Sequence, residues 1–270
     1  MYNVFTVLNS AYMRFGKIWI NSLYHEADYD NVGKIFILDT GLTDEDKTYL
    51  TKYDKVQIVP SDIDIKESSN ANYQKSVWLS HVLRKTQYFR QILEKGNSPL
   101  VMVDSDCMFI GDFSQHIDET YDVQVCNRSY HDRDDWIASF FVANNTKKGL
   151  FFMDLWMQRM KELMEERPER GWFESYSLNT CIKDLKTKKV ENDLKIGDVE
   201  TKDVACELPT LSHADTKILH FKGTGNKLDF NERLNRFSDK SIMNKILEYG
   251  DHKPEPVIID FGYNFSRGHQ

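Results

Sequence analysis

Cysteine is sparse in this chain. Its four copies, Cys107, Cys126, Cys181 and Cys206, form no CxxC pair. That scatter resembles neither a zinc site nor a disulfide framework and suits a reducing compartment. Basic residues are outnumbered, 35 Lys and Arg against 42 Asp and Glu, for a net charge of −7. The acidic balance argues against general affinity for nucleic acid, which needs a clustered basic face. No run approaches the roughly 18 consecutive apolar residues of a membrane-spanning helix. The opening MYNVFTVLNS lacks the basic and then apolar segments of a signal peptide. We expect a soluble, cytoplasmic chain. It has no repeat, low-complexity tract or Pro/Gly-rich linker, so residues 1–270 are expected to form a single domain.

What is present is enough apolar material for a large core: 40% of residues are hydrophobic and 13% aromatic. The first hundred residues alternate short apolar runs with amphipathic ones. Asn3–Leu8, Lys34–Leu38, Val56–Val59 and Leu100–Val103 read as buried strands. Phe15–Tyr24, the segment opening at Thr43 and Gln74–Glu94 read as helices, with Thr43 as an N-cap. Strands alternating with helices imply a parallel α/β sheet covered on both faces. Ligands of such sheets bind beyond the carboxyl ends of the strands, where Asn9, Asp39 and Asp104 all fall. Later, Tyr121–Val125, Ser139–Ala143 and Lys217–Phe221 read as strands. Lys147–Met164, Trp172–Leu185 and Asp239–Glu248 read as helices.

The sharpest local feature is Val101-Met102-Val103-Asp104-Ser105-Asp106, in which a buried strand delivers two carboxylates at i and i+2. Hard divalent cations such as Mn²⁺ or Mg²⁺ take oxygen ligands and share them with phosphates. The competing reading is a solvated turn, since Asp and Ser both favour turns. Asp62-Ile63-Asp64 and Asp132-Arg133-Asp134 share the spacing without the strand, and read as loops. A second feature is Ile218-Leu219-His220-Phe221-Lys222-Gly223-Thr224-Gly225-Asn226-Lys227, a strand ending in histidine and then a glycine loop. Imidazole is a common transition-metal ligand. Glycines let backbone N–H groups approach phosphate closely. The bland alternative is a structural histidine beside a glycine turn.

At these residues the sequence resembles the GT-A nucleotide-sugar glycosyltransferases, most nearly glycosyltransferase family 8 and the glycogenin-like enzymes, over roughly residues 1–230. Asp104-Ser105-Asp106 matches the DxD motif. Asp39-Thr40-Gly41 is similar to the LD-x-G segment, Tyr73-Gln74-Lys75 to the helix opening with a phosphate-facing base, and His220-Phe221-Lys222-Gly223 to HxxG. Three positions depart from the pattern. Asn226 stands where the family has a lysine, Ile137-Ala138-Ser139 carries no glycine, and Glu174-Ser175 replaces an Asp-Gln pair ahead of Asn179.

The resemblance implies a Rossmann-like GT-A fold with a central, mostly parallel mixed sheet flanked by helices. Residues 1–115 would form the nucleotide-sugar half, 116–230 the acceptor half and 231–270 a closing helix and tail. It further implies that Asp104, Asp106 and His220 hold Mn²⁺ or Mg²⁺. Asn9, Ser10, Tyr12, Asp39, Lys75, Ser105, Gly223 and Lys222 or Lys227 would contact the donor, and Glu174 would sit at the anomeric carbon or the acceptor. Donors in that group are mostly UDP-sugars, and transfer retains configuration at the anomeric carbon. The acceptor would be a glycan, a lipid-linked glycan or a protein.

Several conspicuous residues take bland readings. Trp78, Tyr88, Phe89, Phe140, Phe141, Phe151 and Phe152 are assigned to the core, and Cys107 to a small buried filler. Trp136, Trp172 and Tyr176 are weighed as a sugar platform against packing. The run Lys183–Lys195 reads as a solvated face and His213 as structural. Two rivals stand. A sugar-nucleotide nucleotidyltransferase would need a glycine-rich basic loop early in the chain, and Leu8–Lys17 is not one. A non-catalytic carbohydrate-binding module would have lost metal ligands that are present here.

Overall fold

A computed structural model describes residues 1–62, 76–129, 135–166, 173–187, 193–207, 212–221 and 239–250, with the side chains of 76–82, 173 and 187 excepted. Its centre is a seven-stranded sheet. β1 (Tyr2–Leu8), β2 (Val32–Asp39), β3 (Val56–Pro60) and β4 (Leu100–Val103) run parallel, and β7 (Trp136–Ala143) joins β4 antiparallel. β6 (Val123–Asn127) pairs antiparallel with β7, and β8 (Ile196–Glu200) parallel with β6, giving the order 3-2-1-4-7-6-8. β5 (Cys107–Phe109) and β9 (Ile218–His220) form a separate antiparallel pair. This is the mostly parallel mixed sheet expected.

The strands form where apolar runs are β-branched or aromatic and bounded by turn residues. Every residue of β4 and of β7 is buried, as a strand covered on both faces must be. One face packs on α1 (Met13–Glu26). There Leu23, Trp19 and Ile20 meet Val4, Val101, Val103 and Phe140 in one cluster. The other face packs on α3 (Ser76–Lys95), α4 (Lys147–Glu166) and α5 (Phe173–Thr187), with Phe89, Phe141, Phe152 and Trp156 at its centre. A third cluster joins Phe15 and Ile18 to Leu219, Phe221 and Ile246; after the one-turn α6 (Thr201–Val204), it seats β9 and α7 (Lys240–Tyr249) on α1. Burying one such aromatic or aliphatic side chain contributes about 1.5–3 kcal/mol.

The short α2 (Asp44–Leu50) opens as read. Thr43 Oγ1 accepts from Asp46 N at 3.2 Å, and Asp46 Oδ2 accepts from Thr43 N at 3.1 Å, a reciprocal capping box. All four cysteines are buried thiols. Among the described residues no helix is long and apolar enough to cross a membrane.

Several expectations change. Phe151 is 47% exposed, because it falls on the outer side of α4 while Phe152 faces the core. Trp136 is buried, its indole N–H donating to Asp198 Oδ1 at 2.7 Å, so it is packing and not a platform. Within Lys183–Lys195, residues 183–187 close α5 and 193–195 lead into β8, a strand that the sequence did not reveal; the described side chains there are exposed or half-buried, as a solvated face requires. Cys107 opens β5, also missed because three residues make too short a run to recognise. His213 is structural as expected, its Nε2 2.8 Å from Asp203 Oδ1. The side chain of Trp78, and Trp172 altogether, lie outside the described residues.

Candidate functional site

Because β1, β2 and β4 are adjacent and parallel, their carboxyl ends share one edge, and Asn9, Asp39 and Asp104 meet there as the alternation implied. Asp39 is itself the last residue of β2, paired with Leu8 and Pro60. Its Oδ1 accepts from Gly41 N at 2.9 Å and Leu42 N at 2.8 Å, and Lys47 Nζ lies 2.8 Å from Oδ2. Burial works against that carboxylate, but these donors and the Lys47 charge outweigh it and hold its pKa below the ordinary aspartate value. Gly41 takes φ 122°, a backbone state that side chains rarely allow, and this lets the chain fold back onto the first loop. Ser10 joins the two loops. Its N–H and hydroxyl both reach Gly41 O, at 3.1 and 3.0 Å, and the hydroxyl also bonds Asp46. Asn9 Oδ1 accepts from Tyr12 N at 3.0 Å, and Tyr12 leans on Phe15 with ring centroids 5.8 Å apart.

Asp104 follows β4 directly, and its N–H donates to Ser139 O at 3.0 Å. That carbonyl belongs to an irregular stretch of β7, where the pairing slips between Val125 opposite Phe141 and Cys126 opposite Ile137. The glycine-free Ile137-Ala138-Ser139 segment therefore lies at a pairing irregularity beside the Asp104 turn, and such irregularities re-aim strand ends. Ser105 and Asp106 make the turn into β5.

The second sheet then supplies the histidine. β5 and β9 pair Cys107 with His220, and Phe221 N donates to Asp106 O at 2.8 Å. His220, 4% exposed, consequently faces both carboxylates through one nitrogen: Nε2 lies 3.3 Å from Asp106 Oδ1 and 4.0 Å from Asp104 Oδ2. Asp106, Cys107 and His220 bring one ligand atom each within 4.8 Å of one another. Burial, then the Asp106 and Asp104 charges, raise the Cys107 thiol well above its ordinary pKa. A thiol kept protonated is a poor ligand for a hard cation, whereas two carboxylates and an imidazole fit Mn²⁺ or Mg²⁺.

Glu174 opens α5 with its side chain on the far side of Asp104, and between them stands a residue the sequence reading passed over. Lys85 Nζ lies 2.8 Å from Asp104 Oδ1 and 2.9 Å from Glu174 Oε1. Its side chain is 8% exposed. Burial alone lowers a lysine pKa, but here the two carboxylates more than reverse that, and the ammonium is held above its ordinary range. A signal existed, since Lys85 precedes the buried Phe89 and Leu93 by four and eight residues and so interrupts an apolar helical stripe. α5 is placed by Asn179, whose side chain accepts from Trp136 N at 3.1 Å and donates to Trp136 O, clamping the helix to β7.

Lys75, Lys222, Gly223 and Lys227 lie outside the described residues. The structure thus gathers Asp104, Ser105, Asp106, His220 and Glu174 into one group. Asn9, Ser10, Tyr12 and Asp39 form a second group along the same sheet edge.

A sequence-family profile described as nucleotide-diphospho-sugar transferase matches residues 44–230. No curated protein sequence matches. Among solved structures, the galactosyltransferase LgtC in complex with donor and acceptor sugar analogues superposes with a TM-score of 0.61 at 9% identity, covering 94% of this chain and 98% of that one. The glycosyltransferase GlyE of Streptococcus pneumoniae gives 0.57 at 15% identity over 93% of this chain and 61% of its own. The bifunctional glycosyltransferase WbbM gives 0.56 at 13% over 92% and 51%. This chain thus spans about half of WbbM and three fifths of GlyE. At such identities these likenesses establish a shared fold, that of the GT-A glycosyltransferases. Since the profile covers well over half of its residues, the chain belongs to the nucleotide-diphospho-sugar transferase family.

Proposed function

We propose that this chain moves a sugar from a nucleotide-diphosphate sugar, a UDP-sugar first, to a hydroxyl of a glycan, lipid-linked glycan or protein acceptor, with the help of Mn²⁺ or Mg²⁺. The observation that carries this is the convergence of Asp104 and Asp106 with His220, which lies more than a hundred positions further along the chain.

Asp104, Asp106 and His220 would hold the ion, which when bound supplies Lewis-acid stabilisation of the charge growing on the departing diphosphate. Lys85 fixes Asp104 and Glu174 at one position each and offsets part of their charge, so both carboxylates are oriented before substrate arrives. Glu174, beyond Lys85, is the carboxylate proposed for the anomeric carbon or the acceptor hydroxyl. Asn9, Ser10, Tyr12 and Asp39 are proposed to receive the nucleoside, with Tyr12 stacking on the base. Ser105, Lys75, Gly223 and Lys222 or Lys227 are proposed for the donor's ribose and phosphates. The first half of the chain then serves the donor and residues 116–230 the acceptor. The family-8 likeness supports retention at the anomeric carbon.

The test is a nucleotide-sugar panel with and without Mn²⁺, read by thermal shift and by nucleotide release. We expect stabilisation and slow release with a UDP-sugar only when the metal is present, both lost in Asp106→Ala. Undiminished turnover in Asp106→Ala, or silence toward every nucleotide sugar, defeats the reading; the second result favours a non-catalytic carbohydrate-binding role.

A further inference from the structure

Behind His220 lies a chain of charged side chains that the transfer reaction does not use. We infer that Glu207 is a positioning residue for His220. In this role its carboxylate holds the proton on Nδ1, so that the Nε2 lone pair faces Asp104 and Asp106. The inference rests on the proposed metal role of His220.

The imidazole is buried and has carboxylates on both of its sides. Nε2 looks toward two carboxylates, at 3.3 and 4.0 Å. Nδ1 is buried with no hydrogen-bond partner among the described residues, and the Glu207 carboxylate faces it with Oε1 at 3.7 Å. A neutral imidazole carries one proton, and only the nitrogen without it can ligate. Left to the front side alone, the proton would settle on Nε2, donate to Asp106 and occupy the ligating position. A carboxylate behind the ring competes for that proton. At 3.7 Å it is not yet a hydrogen bond, and a closure of 0.5–1 Å or so would make one. Ligating histidines commonly depend on such an outer carboxylate, which fixes tautomer and ring orientation.

The placement of Glu207 is built, not incidental. Its neighbour Cys206 bridges to Leu219 in β9, and Cys206 O accepts from His220 N at 2.9 Å, so the two backbones travel together. The Glu207 side chain is held in turn by Arg128, which meets it with two nitrogens at 2.8 and 3.2 Å and bonds Asp135 Oδ2 at 3.1 Å. A guanidinium fork fixes a carboxylate in plane as well as in position. Glu207 and Arg128 are mostly buried, with side chains 11% and 14% exposed. The network Asp135–Arg128–Glu207–His220 thus leads from the end of β6 to the candidate metal ligand.

The experiment reads the tautomer first. Nitrogen-15 imidazole shifts of the metal-free protein at neutral pH should show His220 protonated on Nδ1. In Glu207→Gln, which keeps shape and loses charge, the proton should move largely to Nε2. Titration with Mn²⁺ alone, followed by the electron-paramagnetic signal of free ion, should show affinity lowered about 10- to 100-fold. If Glu207→Gln fails to fold, the double variant Glu207→Ala/Arg128→Ala removes the orphaned cation and carries the same expectation. An unchanged wild-type tautomer pattern in a folded variant overturns the inference. Mn²⁺ binding that survives Asp106→Ala instead defeats the metal reading and leaves the tautomer result to decide on Glu207.

Discussion

Lys85 concentrates the electrostatics of the candidate site in one side chain. Its ammonium is shared by Asp104 and Glu174 in a largely desolvated position. Replacing one partner of such a cluster leaves uncompensated buried charge, which typically costs about 3–5 kcal/mol. Lys85→Met should therefore lower stability by about that amount in urea unfolding, and should lower transfer activity too, because Asp104 and Glu174 are no longer held apart. Undisturbed stability would mean that the two carboxylates relax to solvent, and that Lys85 organises nothing. At this scale the DxD pair and His220 were legible in the sequence, because a strand end and a glycine loop mark them. Lys85 was marked only by a break in an apolar stripe, and Glu207 not at all, since a charge acquires meaning mainly from what the tertiary fold puts against it. A lysine within an amphipathic helix looks like any solvated lysine until its stripe is compared with Phe89 and Leu93.

Helices and strands position the site by packing, and the closing helix shows how titration can report on that packing. Lys245 on α7 lies 2.6 Å from Glu26 Oε1 at the end of α1, and the Tyr249 hydroxyl donates to the same oxygen at 2.5 Å. Burial works against the Glu26 carboxylate, but these two partners outweigh it and lower its pKa. A lowered carboxylate pKa contributes stability that is present above the ordinary glutamate value and is lost as pH falls through the folded value. Wild-type protein should thus exceed Glu26→Gln in melting temperature near pH 7, with the gap closing below about pH 4. A gap of constant size would assign the effect to packing alone. Elements of four or more apolar residues could be read ahead of the structure, as could the Thr43 cap. β5 and β8 could not. The first has three residues, and the second alternates buried and exposed positions in Ile196-Gly197-Asp198-Val199-Glu200, which resembles a solvated stretch.

For the molecule as a whole, the first 115 residues and those that follow share one core. β4 from the first half is paired along its length with β7 from the second, and Phe89 of α3 packs against Phe141 with centroids 5.7 Å apart. Residues 1–115 alone would expose the inner edge of β4 and most of the α3–α5 face. We predict that this fragment shows no cooperative thermal transition, while the full chain melts in one; a sharp transition for the fragment, read by circular dichroism, would establish two independent lobes. The small sheet adds a consequence in time. β5 carries Cys107 next to the DxD turn, but its partner β9 is translated more than a hundred residues later. At about 5–20 residues per second, a nascent chain holds both aspartates for on the order of ten seconds before its histidine exists. During synthesis, then, the polypeptide passes through a stage that holds only two of the three proposed ion ligands. A ribosome stalled short of residue 220 would leave a product without the third proposed ligand and without the strand that pairs with β5.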